Sequence, residues 1–362
     1  MRVVFCGGGT GGHLYPGLAI ARALVRERPD VQPHFVGALR GIERDVLPST
    51  GFPFTLLDAH PLYRTRPWRS WRTARGFVSG WRAMTVLSRA ERPRLVVGTG
   101  GYASAIPLTW ARAHGVPMVQ HIGDAMPGAA ARLFARWSRQ CYLGFGEAEA
   151  RLPGAAGRCV VTGNPVEPPP EPRPNRTSML RAWEFEPGTR VLLVFGGSQG
   201  SRAINEVVAD WVREGIPAGW SLIWATGKAM HAPFASLAST KVRVVPYLSP
   251  IADAYAVADL ALVRGGMMGT AECCAWGIPM IIVPLPTAAA DHQSWNARSL
   301  AAAGAAIHVP QPEFTRDRLA RTVAELSGDA ERLAALRHGA QRAGRPRAAL
   351  DIARLIAAHL PV

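Results

Sequence analysis

Apolar and polar positions recur along this chain in one order: a short apolar run, a knot of glycines, then apolar residues spaced three and four apart. Val3 to Phe5 leads into Gly7-Gly8-Gly9-Thr10-Gly11-Gly12-His13, and Leu14 to Val25 continues at helical spacing. That reads as strand, tight turn and helix. The order returns where Val191 to Phe195 meets Gly196-Gly197-Ser198-Gln199-Gly200 and Ile204 to Val212 follows. Further apolar runs bounded by turn residues predict buried parallel strands at 33–37, 95–97, 117–120 and 160–162, then at 221–225, 242–246, 260–263 and 280–283. Two Rossmann-like α/β halves follow from the repetition.

Between the halves, Pro165 to Pro174 holds six prolines in ten residues. So few backbone donors cannot serve a central strand, and the segment reads as a stiff linker. The expected divisions are 1–163, 164–345, and a C-terminal helix in 346–362 long enough to return to the first half.

A length of 362 residues suits two domains. With 48% apolar and 19% charged residues, the chain is neither disordered nor fibrous. No apolar stretch approaches the roughly 18–20 residues that a membrane-spanning helix needs. The first residues run straight into glycines without the apolar core of a secretory signal, so a cytoplasmic location is expected. The five cysteines are odd in number and none forms a C-x-x-C pair, which argues against a disulfide framework or zinc ribbon. Adjacent Cys273 and Cys274 read as small buried hydrophobes.

The formal charge of +15 is unevenly spread: residues 1–165 carry 21 Arg against 9 acidic residues. The basic excess is densest from Tyr63 to Trp81, where Arg64, Arg66, Arg69, Arg72 and Arg75 alternate with Trp68, Trp71, Phe77 and Trp81. Indole and guanidinium together suit an anionic membrane interface, and also single-stranded nucleic acid. A solvated helix in an arginine-biased chain is the third reading.

Gly7, Gly9 and Gly12 satisfy G-x-G-x-x-G, yet the second strand closes with Phe35-Val36-Gly37-Ala38 and offers no carboxylate for a ribose, which disfavours NAD. What remains is the chemistry of helix N-termini, where unpaired amides attract anions. Gly98-Thr99-Gly100-Gly101-Tyr102, Gly196 to Gly200, and Arg264-Gly265-Gly266-Met267-Met268-Gly269 repeat it. Four such turns suggest a ligand with phosphates on both sides of a cleft between two domains.

GGGTGGHLYPGLAIA, GTGGYASAIP, TGNPV, GGSQGSRAIN, and RGGMMGTAECCAWGIPMIIVP followed by DHQSWNA resemble, in order from about residue 3 to about 310, the MurG family of peptidoglycan glycosyltransferases. The resemblance implies the α/β GT-B architecture, two Rossmann-like parallel-sheet domains facing a central cleft. It implies inverting transfer of N-acetylglucosamine from UDP-GlcNAc to the muramoyl 4-hydroxyl of lipid I, giving lipid II at the inner face of the membrane. A nucleic-acid module would leave the four glycine turns idle, so the implied partners are UDP-GlcNAc, a polyprenyl-pyrophosphate-linked acceptor and the anionic membrane surface, with no nucleic acid.

Carried residue by residue, the resemblance places Ser198 and Gln199 at the donor diphosphate, with Gly266 and Met267 at the neighbouring turn. Glu272 would accept the ribose hydroxyls. His292, Gln293 and Asn296 would read the sugar, Asp291 being either a sugar contact or a helix cap. Tyr247 and Leu248 match the stretch whose backbone meets uracil. Thr10, Gly11, Gly12, Gly100, Gly101 and Tyr102 would cradle the acceptor diphosphate. His13 is the candidate general base, or else a hydrogen-bond donor to that diphosphate. No D-x-D occurs, so no protein-held metal is expected; a divalent cation, if one takes part, arrives with the diphosphates.

The chain departs from the family's H-E-Q-N-A-x-P-G, having Ile122, Gly123 and Asp124 where Glu, Gln and Asn are usual. Asp124 is the remaining acceptor-side carboxylate. Glu167 replaces an arginine and is expected to point away from the phosphates. Donor machinery is thus better kept than acceptor machinery, the pattern of a related transferase with a different lipid or small-molecule acceptor. An epimerase-like enzyme and a non-catalytic UDP-sugar or polyprenyl-phosphate binder are the other readings.

Overall fold

The computed structural model describes residues 1–60 and 70–361. The chain forms two compact units, Met1–Glu167 with Arg347–Val362, and Pro168–Pro346. Unit 1 runs β1 (Arg2–Gly7), α1 (Gly11–Glu27), β2 (Gln32–Ala38), α2 (Glu43–Val46), β3 (Phe54–Leu57), α3 (Ser70–Ala90), β4 (Leu95–Gly100), α4 (Ala105–Ala113), β5 (Met118–Ile122), α5 (Ala129–Ala135), β6 (Cys141–Leu143) and β7 (Cys159–Val161). Unit 2 runs α6 (Arg176–Ala182), β8 (Arg190–Phe195), α7 (Arg202–Glu214), β9 (Trp220–Ala225), β10 (Val242–Val245), α8 (Ala252–Tyr255), β11 (Leu260–Val263), α9 (Met267–Trp276), β12 (Met280–Ile282), α10 (His292–Ala302), β13 (Ala306–His308), α11 (Arg316–Gly328) and α12 (Ala330–Ala343). The last helix, α13 (Ala348–Ala357), belongs to unit 1.

Both sheets are parallel throughout, ordered β3-β2-β1-β4-β5-β6-β7 and β10-β9-β8-β11-β12-β13. In each the strand order reverses beside the first strand of the unit, between β1 and β4 and between β8 and β11. Chain crossovers leave in opposite directions there, so the loops at the carboxyl ends of those strands open a crevice for a ligand. All four glycine turns fall at these two switch points.

Strands buried on both faces read as continuous apolar runs, and β1, β4, β8 and β9 are accordingly sealed. In unit 1, α13 lays Ile352, Ala353 and Ile356 into the same core as Leu14, Leu18 and Leu24 of α1. In unit 2, Trp211, Trp220 and Trp224 fill the core under α7 and α11 with Leu319 and Val323. Cys273 and Cys274 are buried, and burial pushes the Cys274 thiol up to about 12, as fits packing rather than thiolate chemistry.

Two expectations need correction. The strand foreseen at 160–162 as buried is an edge strand, β7, paired only with β6, and its Val161 is exposed. The run at 242–246 stops at Val245, because Pro246 has no N–H to continue the ladder. The short strands β3, β6 and β13 were not foreseen.

Of the basic aromatic stretch, Tyr63, Arg64, Arg66, Trp68 and Arg69 lie outside the described residues. The remainder sits on α3, whose Gly76, Gly80 and Met84 face inward at four-residue intervals; the Cα of Gly76 comes so near the Asp58 carbonyl that a side chain would clash. Outward and flanking positions leave Trp71, Phe77, Val78 and Val86 exposed, with Arg72 stacked 5.6 Å over Trp71. Among the described residues no helix is long and apolar enough to cross a membrane.

Candidate active site

In unit 1 the turn after β1 and the turn after β4 interlock. Gly8 N–H donates to the Gly100 carbonyl at 3.2 Å, and the Tyr102 ring lies against Gly9. A Cβ on Gly101 would stand 2.0 Å from the Gly8 carbonyl oxygen, so only glycine permits that approach. Thr10, Gly11, Gly12 and His13 then open α1, whose first amides have no acidic side chain or side-chain cap in front of them.

His13 is held twice by Thr99, buried at the end of β4. Its Nδ1 is 3.2 Å from the Thr99 carbonyl, and the Thr99 hydroxyl donates to the His13 carbonyl at 2.7 Å. A carbonyl accepts only, so Nδ1 carries the proton and the neutral ring offers Nε2 as its basic nitrogen. Asp124 lies one strand over, in the half-buried loop after β5. On β5, His121 is buried beside Asn164, and burial drives its pKa down to about 3. Asn164 of the TGNPV segment donates to the Gly123 carbonyl at 3.0 Å. Glu167 is exposed.

Sequence reasoning passed over Glu43. This carboxylate is 0% exposed, and its Oε1 accepts the Gly9 N–H at 2.6 Å. It stands five residues beyond the end of β2, where a ribose-binding acid was sought and not found, and it turns onto the loop itself. Thr99 was likewise missed.

In unit 2, Ser198 and Gln199 are exposed on the turn after β8. Ser201 caps α7 by accepting the Ile204 N–H at 3.3 Å, while Asn205 donates its amide to the Thr226 carbonyl at 2.8 Å. A Cβ on Gly227 would come within 2.5 Å of the Gln199 carbonyl oxygen, so the 226–230 segment packs tightly on the turn. That segment carries Lys228, whose ammonium sits 5.3 Å over the ring of exposed Tyr247; Leu248 beside it is buried.

Gly266 precedes α9 and Met267 begins it, buried. Glu272, one and a half turns on, is half-buried and accepts the Tyr255 hydroxyl at 2.8 Å; burial, then nearby Cys273 and Glu272, raise that phenol's pKa, so it stays a donor. Tyr255 is a third partner residue the sequence did not reveal.

The start of α10 approaches the Gly265 turn closely enough to exclude a side chain there. Gln293 Oε1 accepts the Leu285 N–H at 3.0 Å, and His292 Nδ1 lies 2.9 Å from the Ala289 carbonyl. Asp291 caps no amide; it accepts the Ser294 hydroxyl at 2.5 Å, after two consecutive residues, Ala290 and Asp291, in the left-handed region. Asn296 is 0% exposed and donates to the Gly265 carbonyl at 3.0 Å, so it holds the turn that carries Gly266. Among the described residues no three His, Cys, Asp or Glu are grouped to hold a metal.

Residues 3–143 match the glycosyltransferase family 28 N-terminal domain, and residues 191–352 match its C-terminal domain. The chain belongs to glycosyltransferase family 28, in its MurG group. Relatives of family 28 from Chlorobaculum parvum and Moorella thermoacetica are 38% and 37% identical, covering 99% and 98% of this chain and the same shares of their own. Each is named a UDP-N-acetylglucosamine–N-acetylmuramyl-(pentapeptide) pyrophosphoryl-undecaprenol N-acetylglucosamine transferase. The crystal structure of Acinetobacter baumannii MurG is 25% identical with a TM-score of 0.76, covering 99% of both chains. The fold is therefore GT-B, and the chain is a hexosyltransferase of family 28.

Proposed function

We propose that this enzyme moves N-acetylglucosamine from UDP-GlcNAc to the muramoyl 4-hydroxyl of lipid I, forming lipid II. The observation that carries the reading is full-length kinship with transferases named for that reaction, combined with all four glycine turns at the two switch points.

Unit 2 takes the donor. The amides at the starts of α7 and α9, with Ser198 and Gln199, receive the diphosphate and stabilise the charge that grows on departing UDP. Glu272, oriented by Tyr255, accepts the ribose hydroxyls, and His292 and Gln293 meet the sugar. Unit 1 takes the acceptor pyrophosphate on the turns of Thr10–Gly12 and Gly100–Tyr102. The acceptor oxygen attacks C1 of the sugar, the bond from C1 to the β-phosphate oxygen breaks, and the hydroxyl proton passes to His13 Nε2. Attack opposite the leaving group inverts C1. The protein holds no metal of its own in this reading; a divalent cation enters only with a diphosphate.

The exposed aromatic face of α3, with Arg72 and Arg75, docks the enzyme on an anionic cytoplasmic membrane surface rather than on nucleic acid. Each cation there is worth about 1 kcal/mol. Vesicle binding is expected to rise with anionic lipid and fall with salt; binding indifferent to both removes this role.

The test is UDP release from UDP-GlcNAc with and without lipid I or a short-chain analogue. Release only with that acceptor supports the reading. Equal release without acceptor overturns it. Turnover with another prenyl or small-molecule acceptor alone supports the second reading, which the Ile122-Gly123-Asp124 departure favours.

A further inference from the structure

Glu43 is a carboxylate at the unit 1 turns that the reaction leaves unused, and its surroundings are unusual. A Cβ on Gly8 would stand 1.8 Å from its Oε1, one on Gly41 would stand 1.7 Å from its Oε2, and one on Gly37 would stand 2.6 Å from its Cγ. Three glycines from three segments thus form a socket that only this side chain fills. Its Oε1 takes the Gly9 N–H, while Oε2 is buried with no hydrogen bond. Gly9 has φ +96° and Gly8 φ +149°, so the loop occupies backbone conformations with little intrinsic preference. Something outside the loop has to select them.

We infer that Glu43 is a positioning residue, which fixes the Gly8–Gly9 peptide through the Gly9 amide and so aims the α1 N-terminus and His13 at the acceptor. The inference rests on the acceptor reading of this turn given above. The chain of contacts is short: Glu43 holds Gly9, Gly8 holds the Gly100 carbonyl, and the Thr99–Gly101 turn holds the His13 ring. A diphosphate arriving on the later amides, of Gly11 and Gly12, meets a loop already in shape. The amide nearest the acid is spoken for, which keeps the phosphates off the carboxylate. Burial raises the Glu43 pKa, and the backbone amides of Glu43, Gly9 and Ala38 oppose that rise.

The experiment compares E43Q with E43M in the full chain. Both side chains fill the socket, and only glutamine keeps an oxygen for the Gly9 amide. With the lipid I analogue as substrate, E43M is expected to lose about tenfold or more in kcat/KM for the acceptor, as small misplacements of catalytic groups do, while KM for UDP-GlcNAc stays native. E43Q is expected to recover most of that loss. Equal activity of E43M and native enzyme, or equal losses in both variants, overturns the inference. So does a loss shared by the donor KM, which would mark general damage. Amide hydrogen exchange over residues 7–13, measured without acceptor, provides a readout independent of the reaction. Faster exchange in E43M with native exchange in E43Q supports positioning, and unchanged exchange in E43M overturns it. If native enzyme transfers nothing to lipid I, the acceptor reading fails by that result alone, and the exchange data still decide whether Glu43 holds the loop.

Discussion

The glycine turn of unit 1 and that of unit 2 do similar geometric work with different chemistry. In unit 1 ionisable side chains share in fastening the turn, Glu43 on Gly9 and His13 on Thr99, beside the neutral Thr99 hydroxyl. In unit 2 the fasteners are neutral amides and hydroxyls, with Asn205 on Thr226, Ser201 on Ile204 and Asn296 on Gly265. A turn held by neutral groups binds an anion alike across a wide pH range. One held by titratable groups couples anion binding to proton transfer. The difference suits a donor side that only grips a nucleotide and an acceptor side that must also take up a proton.

Replacing His13 by alanine tests that contrast most severely. Loss of general base catalysis predicts a fall in kcat of about 10²–10⁴-fold with the UDP-GlcNAc KM little changed. An unchanged kcat would move His13 to the role of diphosphate donor. Glu272→Ala should act on the other side, raising KM for UDP-GlcNAc by about 10–100-fold, the range for hydrogen bonds to a charged group. A change in acceptor KM alone would break the division of labour.

The two units also differ in acid. His121 is neutral when folded, with a pKa near 3 against about 6.5 unfolded, so the unfolded chain binds the extra proton between those values. Its contribution is fully present above about 6.5 and declines as pH falls toward 3, with a slope of at most about 1.4 kcal/mol per pH unit. Urea unfolding against pH reads it, and His121→Asn should flatten the slope; the same slope in both proteins would assign acid lability elsewhere. The smallest effect expected is from Tyr255→Phe. It keeps the ring against Phe195 and Trp276 and removes the hydroxyl from Glu272, so donor affinity should drop by about 0.5–1.5 kcal/mol. A loss as large as that of Glu272→Ala would make Tyr255 a direct ligand contact.

What the sequence disclosed follows from how local each signal is. Strand, glycines and helix are contiguous, so the four turns and both Rossmann-like units could be read along the chain. Strands of three or four residues such as β3, β6 and β13 are too short to show a period, and they escaped. The fasteners escaped for another reason: Glu43 lies 34 residues from Gly9, and Thr99 86 from His13. Thr99 stood inside a glycine turn already singled out, but its partner is remote in sequence. For Glu43 the available hint was Gly37 and Gly41, two glycines shortly before an acid. A motif says which residues recur near a ligand and is silent on their partners, so the bond from Asn296 to the Gly265 carbonyl could not be read from it.

The last helix of the chain has a bearing on how the protein comes into being. Since Ile352, Ala353 and Ile356 share a core with residues near the start, the first half cannot complete its packing while the nascent chain is still being extended. The interior under α1 stays uncovered until residues 348–357 have been made, and the proline-linked middle segment is free to mature first.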